Sequence, residues 1–304
     1  MALKRLALVG VGLVGSAVLL RMACSAKLAI KLIDGDIITK KDAYANGIFV
    51  EADAEHVTFK ANAAHRFLLA HNLSLDTESV PFYIGENNID RVLEGVDLVI
   101  DATDNAQTRN LLNRWCIENS KPLLISSVSG NRAFFYVSDG ENACFNCISR
   151  NVTLTDPNCT IASVKTATVL ADAIAKEVLK LPFGDRPHKF VSINARSNEV
   201  AAYTLLKDPS CSVCGDIRKN EKEKSLFVQV CSGGIKVSLQ RKLSIKTLLP
   251  LFKSYDPSVS DDYLLLRNGG RSILVSKFGD FLFTGYSTGS VRKILAMVSN
   301  LSSP

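Results

Sequence analysis

The sequence has no Lys/Arg block interleaved with aromatic residues, and its net charge of +6 is modest for 304 residues. Nucleic acid is therefore not an implied partner. Beyond residue 20 no apolar run approaches the ~20 residues that a membrane-spanning helix needs, so no membrane partner is expected. No internal repeat or low-complexity tract is evident, which sets repeat architectures aside. Histidine is scarce: His56, His65, His71 and His188 lie outside every motif, build no catalytic triad, and read as surface or capping residues.

What is present is an ordinary globular composition, 47% hydrophobic and 22% charged, in a chain long enough to bury a full core. The length favours one large domain with an appendage, or two domains. Eight cysteines occur, at 24, 116, 144, 147, 159, 211, 214 and 231. Four fall into CFNC and CSVC, which is metal-ligand spacing rather than a secreted disulfide framework, so a reducing cytoplasm is the expected location.

Residues 6–20, LALVGVGLVGSAVLL, follow Lys4 and Arg5 and precede RMACSA. A positive start, an apolar stretch and small residues also describe a secretory signal. The glycines decide against it. Gly10, Gly12 and Gly15 fall between the strand-like RLALV and the helical SAVLLRMACSA, the phase of a dinucleotide-type turn. Gly10 permits the bend, Gly12 lets a phosphate approach the backbone, and Gly15 lets the helix pack close to the sheet. The next strand, LAIKLID, ends in Asp34, where such folds place an acid on the ribose hydroxyls.

Strand-length apolar runs continue to alternate with helical patterns, which predicts a mostly parallel α/β sheet with helices on both faces. TFKANAAHRFLLAHN, AQTRNLLNRWCIENS and ATVLADAIAKEVLKL read as helices, with Trp115 and Cys116 on apolar faces; DLVIDATDN and LLISSVS read as strands, the first running into a turn. KFVSINARSNEVAAYTLL supplies two strands. RKNEKEKS, residues 218–225, reads as a linker between a domain at 1–217 and a small α+β domain at 226–304. In that tail FGDFLFTG reads as two strands around a turn.

The nucleotide loop, the acid-ended second strand, Lys60 at a helix start, DATDN (Asp101 to Asn105) followed by Arg109, and the paired CxxC motifs, in that order, resemble the ubiquitin-activating-enzyme-like superfamily of ThiF, MoeB and HesA proteins. The resemblance covers about residues 5–217. It implies ATP and Mg²⁺ as substrate and cofactor, adenylation of a carboxylate, and commonly the C-terminal glycine of a ubiquitin-like sulfur carrier as acceptor. It implies Gly10, Gly12 and Gly15 around the phosphates, and Asp34 and Asp36 at the second strand. Lys60 falls over the phosphates, with Asp104 on Mg²⁺ beside Asn105 and Arg109. Cys144, Cys147, Cys211 and Cys214 match a four-thiolate Zn²⁺ site.

Cys159 matches a cysteine in the segment that crosses the active site, where some members form a covalent link to the carrier; a helix-preceding cysteine without function is the other reading. A homodimer, or a heterodimer with a related subunit, is implied. The chain also departs from the family pattern. Ala45 stands where an arginine contacts phosphate, Asp42 replaces an asparagine, and Val57 and Thr58 replace a Gly and a Lys. Ahead of the first strand these 304 residues offer no stretch that reads as the family's arginine-bearing N-terminal helix. Three function classes follow: an adenylyltransferase acting on a carrier protein or a small carboxylate; a catalytically reduced nucleotide-binding scaffold; and an NAD-dependent dehydrogenase, which shares only the glycine fingerprint.

Overall fold

β1 (Lys4–Val9) is central to the larger of two sheets. Leu6 and Leu8 are buried on one face and Ala7 and Val9 on the other, as a parallel strand covered by helices on both sides requires. The computed structural model describes residues 4–23, 28–43, 47–56, 58–71, 75–151, 163–180, 189–215, 227–229, 234–239, 243–260, 263–277 and 279–299. Contacts divide the chain into two units, Met1–Ile84 with Arg91–Asn220 and Gly85–Asp90 with Glu221–Pro304. The linker expected at 218–225 lies outside the described residues.

After β1 come α1 (Leu13–Met22), β2 (Leu28–Ile33), the short helices α2 (Lys40–Ala43) and α3 (Glu51–Glu55), α4 (Lys60–Ala70) and β3 (Asp76–Val80). Next are α5 (Ile89–Val92), β4 (Leu98–Asp101), α6 (Ala106–Glu118), β5 (Leu123–Ser129), β6 (Arg132–Ser138) and α7 (Phe145–Asn151). α8 (Val164–Lys180) and the hairpin of β7 (Lys189–Asn194) and β8 (Glu199–Thr204) follow. The sheet order is β3-β2-β1-β4-β5-β6-β7-β8. β3 to β5 are parallel; β6 joins β5 as an antiparallel hairpin, and after α7 and α8 the β7–β8 hairpin pairs antiparallel with β6. Gly130, at φ +56°, makes the tight β5–β6 turn.

Alternation sorts the strands' side chains between two layers. Leu6, Leu8, Ile30, Leu32 and Ile100 belong to one core with residues of α1, α4 and α8. On the other face α6 packs against β4 and β5, with Leu112, Trp115 and Cys116 buried. The fold is Rossmann-like, as the pattern of strands and helices predicts.

The smaller unit holds β9 (Phe227–Gln229), β10 (Ile235–Ser238), α9 (Ile245–Leu248) with a 3-10 turn at Leu249–Phe252, and β11 (Asp256–Val259). β12 (Tyr263–Asn268), β13 (Arg271–Ser276), β14 (Asp280–Thr284) and α10 (Thr288–Ser299) complete it. Its antiparallel sheet, ordered β11-β12-β13-β14-β10-β9, buries Leu264, Ile273, Val275, Phe281 and Phe283 in one core with Val291 and Val298 of α10. FGDFLFTG supplies one strand among the described residues, not two: a turn with Gly279 at φ +88° leads into β14, which lies between β13 and β10. No helix among the described residues is long and apolar enough to cross a membrane.

Candidate functional site

The chain leaves β1 for β2 on one side, and β4 joins β1 on the other. Their carboxyl ends therefore flank a topological switch point, where open α/β sheets bind ligands. The glycine loop emerges from β1 there. Gly10 has φ +89°, and a Cβ on it would stand 2.8 Å from the carbonyl oxygen of Ala102 in the turn after β4. A Cβ on Gly15 would overlap the carbonyl oxygen of Gly10 and touch the Ala102 side chain, so a glycine stands where α1 lies against the ends of β1 and β4. Gly12, the N-cap of α1, has open space where a side chain would be. The loop thus presents bare backbone at a helix N-terminus.

Asp34 ends β2 and ties this loop down. Its Oδ2 accepts the Val11 amide at 2.7 Å and its Oδ1 accepts the Asp36 amide at 2.8 Å. Burial first, and then the charge of Asp36, push its carboxyl up to about 7, against the pull of Lys60 and the two amides.

Lys60 opens α4, and its amide donates to the Asp36 carbonyl at 2.9 Å. Its side chain is 11% exposed, with Nζ 3.4 Å from Asp36 Oδ2 and 3.2 Å from Asp42 Oδ1. Burial opposes the lysine's charge, but Asp36, Asp34 and Asp42 together raise its pKa above the usual value. Asp42 is placed by α2: its Oδ2 accepts the Thr39 amide at 2.8 Å and the Thr39 hydroxyl at 2.6 Å, a helix-start arrangement. Burial works to raise its carboxyl, and Lys60 and Thr39 outweigh it and hold the group below its ordinary value. Tyr83 donates its hydroxyl to Asp36 Oδ1. Gly35 makes room for that ring, since a Cβ there would meet the Tyr83 ring at 2.8 Å. No motif marks Tyr83; the glycine between the two aspartates is its only trace in the sequence.

The turn after β4 is built from the inside. Asp101 is fully buried, and its Oδ1 accepts the Thr103 amide at 2.9 Å and hydroxyl at 2.6 Å. Its Oδ2 lies 3.2 Å from Arg109 Nε. Arg109, expected among the nucleotide-binding residues, is placed otherwise. It is 6% exposed and spends its guanidinium on Asp101, the Thr103 carbonyl and, at 2.8 Å, the Ser126 carbonyl. One helical turn from the DN, it faces inward and holds the loop against β5. Asn105 caps α6, accepting the amides of Gln107 and Thr108. Asp104 stands exposed beside them, with no hydrogen bond or ion pair among the described residues.

The Asp101–Arg109 pair predicts a stability effect. Arg109→Met is expected to cost about 3 kcal/mol, the low end for stranding a buried charge, because Asp101 can take up a proton. Urea denaturation measures it, and adding Asp101→Asn to Arg109→Met should recover part of the loss.

Cys144, Cys147, Cys211 and Cys214 are all buried, and their Sγ atoms lie within 4.8 Å of one another. Cys144 and Cys147 are 3.9 Å apart, Cys144 and Cys211 3.7 Å, and Cys147 and Cys214 3.4 Å. A tetrahedron with metal–sulfur bonds of ~2.3 Å has edges of ~3.8 Å, so the four thiols could hold a metal ion. Burial pushes the Cys144 thiol up to about 11. At Cys211 burial is outweighed by hydrogen bonds from the Cys214 amide, Asn146 and the Val213 amide, which bring it down to about 6. A Cβ on Gly215 would overlap the Cys211 carbonyl oxygen, so the second knuckle closes only around a glycine.

Cys159, with Cys24, Cys231, Ala45 and Val57, lies outside the described residues. Of the histidines, His56 and His71 sit at the C-caps of α3 and α4 with Nδ1 donating to backbone carbonyls, and His65 pairs with the Thr77 hydroxyl. These three do not approach the switch-point residues through these contacts, and His188 lies outside the described residues.

A model of the ThiF family matches residues 2–213. The sulfur carrier protein ThiS adenylyltransferase of Bacillus subtilis is 25% identical over 219 residues, which are 69% of this chain and 65% of that protein. The chain therefore spans under two thirds of that relative's length. The molybdopterin-synthase adenylyltransferase of Escherichia coli is 26% identical over 220 residues, 70% of this chain and 87% of that one. The crystal structure of E. coli MccB with ATP superposes with a TM-score of 0.60 at 20% identity, covering 70% of this chain and 67% of the other. At that identity the likeness is one of fold.

Proposed function

The chain belongs to the ThiF family, and from that premise we propose that it transfers AMP from ATP to a carboxylate, the acceptor being the C-terminus of a ubiquitin-like or sulfur-carrier protein. The observation that carries this reading is the convergence at one switch point of the bare Gly10–Gly12 loop, Asp34, Lys60 and the exposed Asp104. Relatives named as adenylyltransferases support it.

In this reading the amides of the glycine loop and the N-terminus of α1 face the phosphates, and Asp34 accepts from the ribose hydroxyls. Lys60 offsets charge that builds on the phosphate oxygens as a carboxylate oxygen attacks the α-phosphorus and the bond to pyrophosphate breaks. Asp104, a hard oxygen donor that makes no hydrogen bond or ion pair among the described residues, fits Mg²⁺, which would supply charge neutralisation at the phosphates. Tyr83 and Asp36 hold the lysine's surroundings. The four thiols fit Zn²⁺ as a closed structural centre, since no fourth position is left open for chemistry. A partner subunit supplies the phosphate-contacting arginine that Ala45 does not, and a reactive Cys159 belongs to the same proposal.

Carboxylate-dependent ATP:pyrophosphate exchange tests it. Exchange that survives both Asp104→Ala and Lys60→Ala unchanged excludes this site. One observation favours a second reading: Asp42 already occupies Lys60, as it could in a scaffold subunit that only presents a carrier to an active partner. Calorimetric titration separates the two, because a pure scaffold shows no Mg²⁺-dependent ATP binding.

A further inference from the structure

Lys60 meets the switch point with its charge already matched. Its ammonium lies within 3.4 Å of Asp36 and 3.2 Å of Asp42, and Asp34 adds a third acid to its surroundings. Two carboxylates pair with one ammonium. Asp36 belongs to the β2 end and is engaged by Tyr83. Asp42 comes from a separate element and is held by Thr39 through one oxygen, which leaves the other aimed at the lysine.

We infer that Asp42 is a built-in counter-ion of Lys60, which a nucleotide phosphate must displace, so that nucleotide enters only with its charge screened by a divalent cation. The inference rests on the nucleotide reading above. A phosphate oxygen reaching Nζ comes as close to Asp42 as a neighbouring ion does, and like charges at that range in a half-buried setting repel strongly. The pair thereby sets affinity by phosphate count and cation supply, while leaving recognition of the adenosine to Asp34 and the loop.

Calorimetric titration of the full-length protein with adenosine, AMP, ADP and ATP, with and without Mg²⁺, tests this in the wild type and in Asp42→Asn. The asparagine keeps an oxygen for the Thr39 amide and puts an uncharged NH2 group in place of the oxygen that faces Lys60. It is expected to bind ATP with Mg²⁺ about tenfold more tightly and adenosine within about twofold of wild type. In the wild type without Mg²⁺, affinity is expected to fall from adenosine to ATP as phosphates are added, a measurement that does not depend on the variant's folding. Unchanged or weaker ATP binding by a folded Asp42→Asn protein, or wild-type affinity that rises with phosphate count without Mg²⁺, overturns the inference and leaves the nucleotide reading standing. No binding of any of the four ligands to either protein overturns that reading, and this inference with it.

Discussion

Asp104→Ala should lower carboxylate-dependent ATP:pyrophosphate exchange by about 10²–10³-fold, the range seen when one preorganised charge-stabilising group is removed from an active site. The structure makes this a clean test. Asp104 is exposed and makes no hydrogen bond or ion pair among the described residues, whereas its neighbours carry the turn: Asp101 binds Thr103 and Arg109, and Asn105 caps α6. Stability of Asp104→Ala is thus expected within about 0.5 kcal/mol of wild type, as for surface changes that break no such feature. Exchange and unfolding measured on the same preparation separate chemistry from folding. Arg109→Met should do the reverse at first cause, losing stability because the turn that presents Asp104 is no longer held. Full exchange in Asp104→Ala would remove the residue from the mechanism.

Chelation of the four-cysteine centre carries the largest expected effect on stability. A metal bound there would bridge Cys144 to Cys211 and Cys147 to Cys214, each 67 residues apart. A cross-link closing a loop of that length is worth about 4 kcal/mol through the unfolded chain. For a unit of this size that corresponds to a fall of roughly 10 °C in the unfolding midpoint. The check is a thermal melt before and after a strong chelator, with the released Zn²⁺ counted per chain. One equivalent released and a matching fall in the midpoint are expected; a chelator-insensitive melt with no Zn²⁺ released contradicts the assignment.

The elements that could be read in the sequence are those where local geometry dictates residue type. Gly10 and Gly15 were legible because no side chain fits against Ala102 or the Gly10 carbonyl, and the paired CxxC motifs because a tetrahedral site demands two short bites of chain. β5, β6, β7 and β8 follow from apolar or β-branched runs set off by turns. β3 and β11 do not. DTESV is a polar edge strand with one buried residue, and DPSV carries Pro257 at a sheet edge where proline is tolerated. Neither shows an apolar pattern to read.

The site was legible as residues and not as partners. Lys60 and Asp42 are both conspicuous in the sequence, yet nothing local indicates that α2 turns Asp42 onto the lysine. Tyr83 reaches Asp36 across 47 residues of chain. Arg109 has the spacing of a residue that faces the ligand, and its inward turn is decided by Asp101, a buried charge whose need for a partner becomes apparent only once β4 is known to be covered on both faces.

The most direct test of adenylyl transfer at this site is the intact mass of a sulfur-carrier protein with a C-terminal glycine after incubation with this protein, ATP and Mg²⁺. The account predicts a carrier heavier by one AMP and an equal amount of pyrophosphate, both lost with Asp104→Ala. A carrier of unchanged mass, with ATP bound but intact, would contradict it.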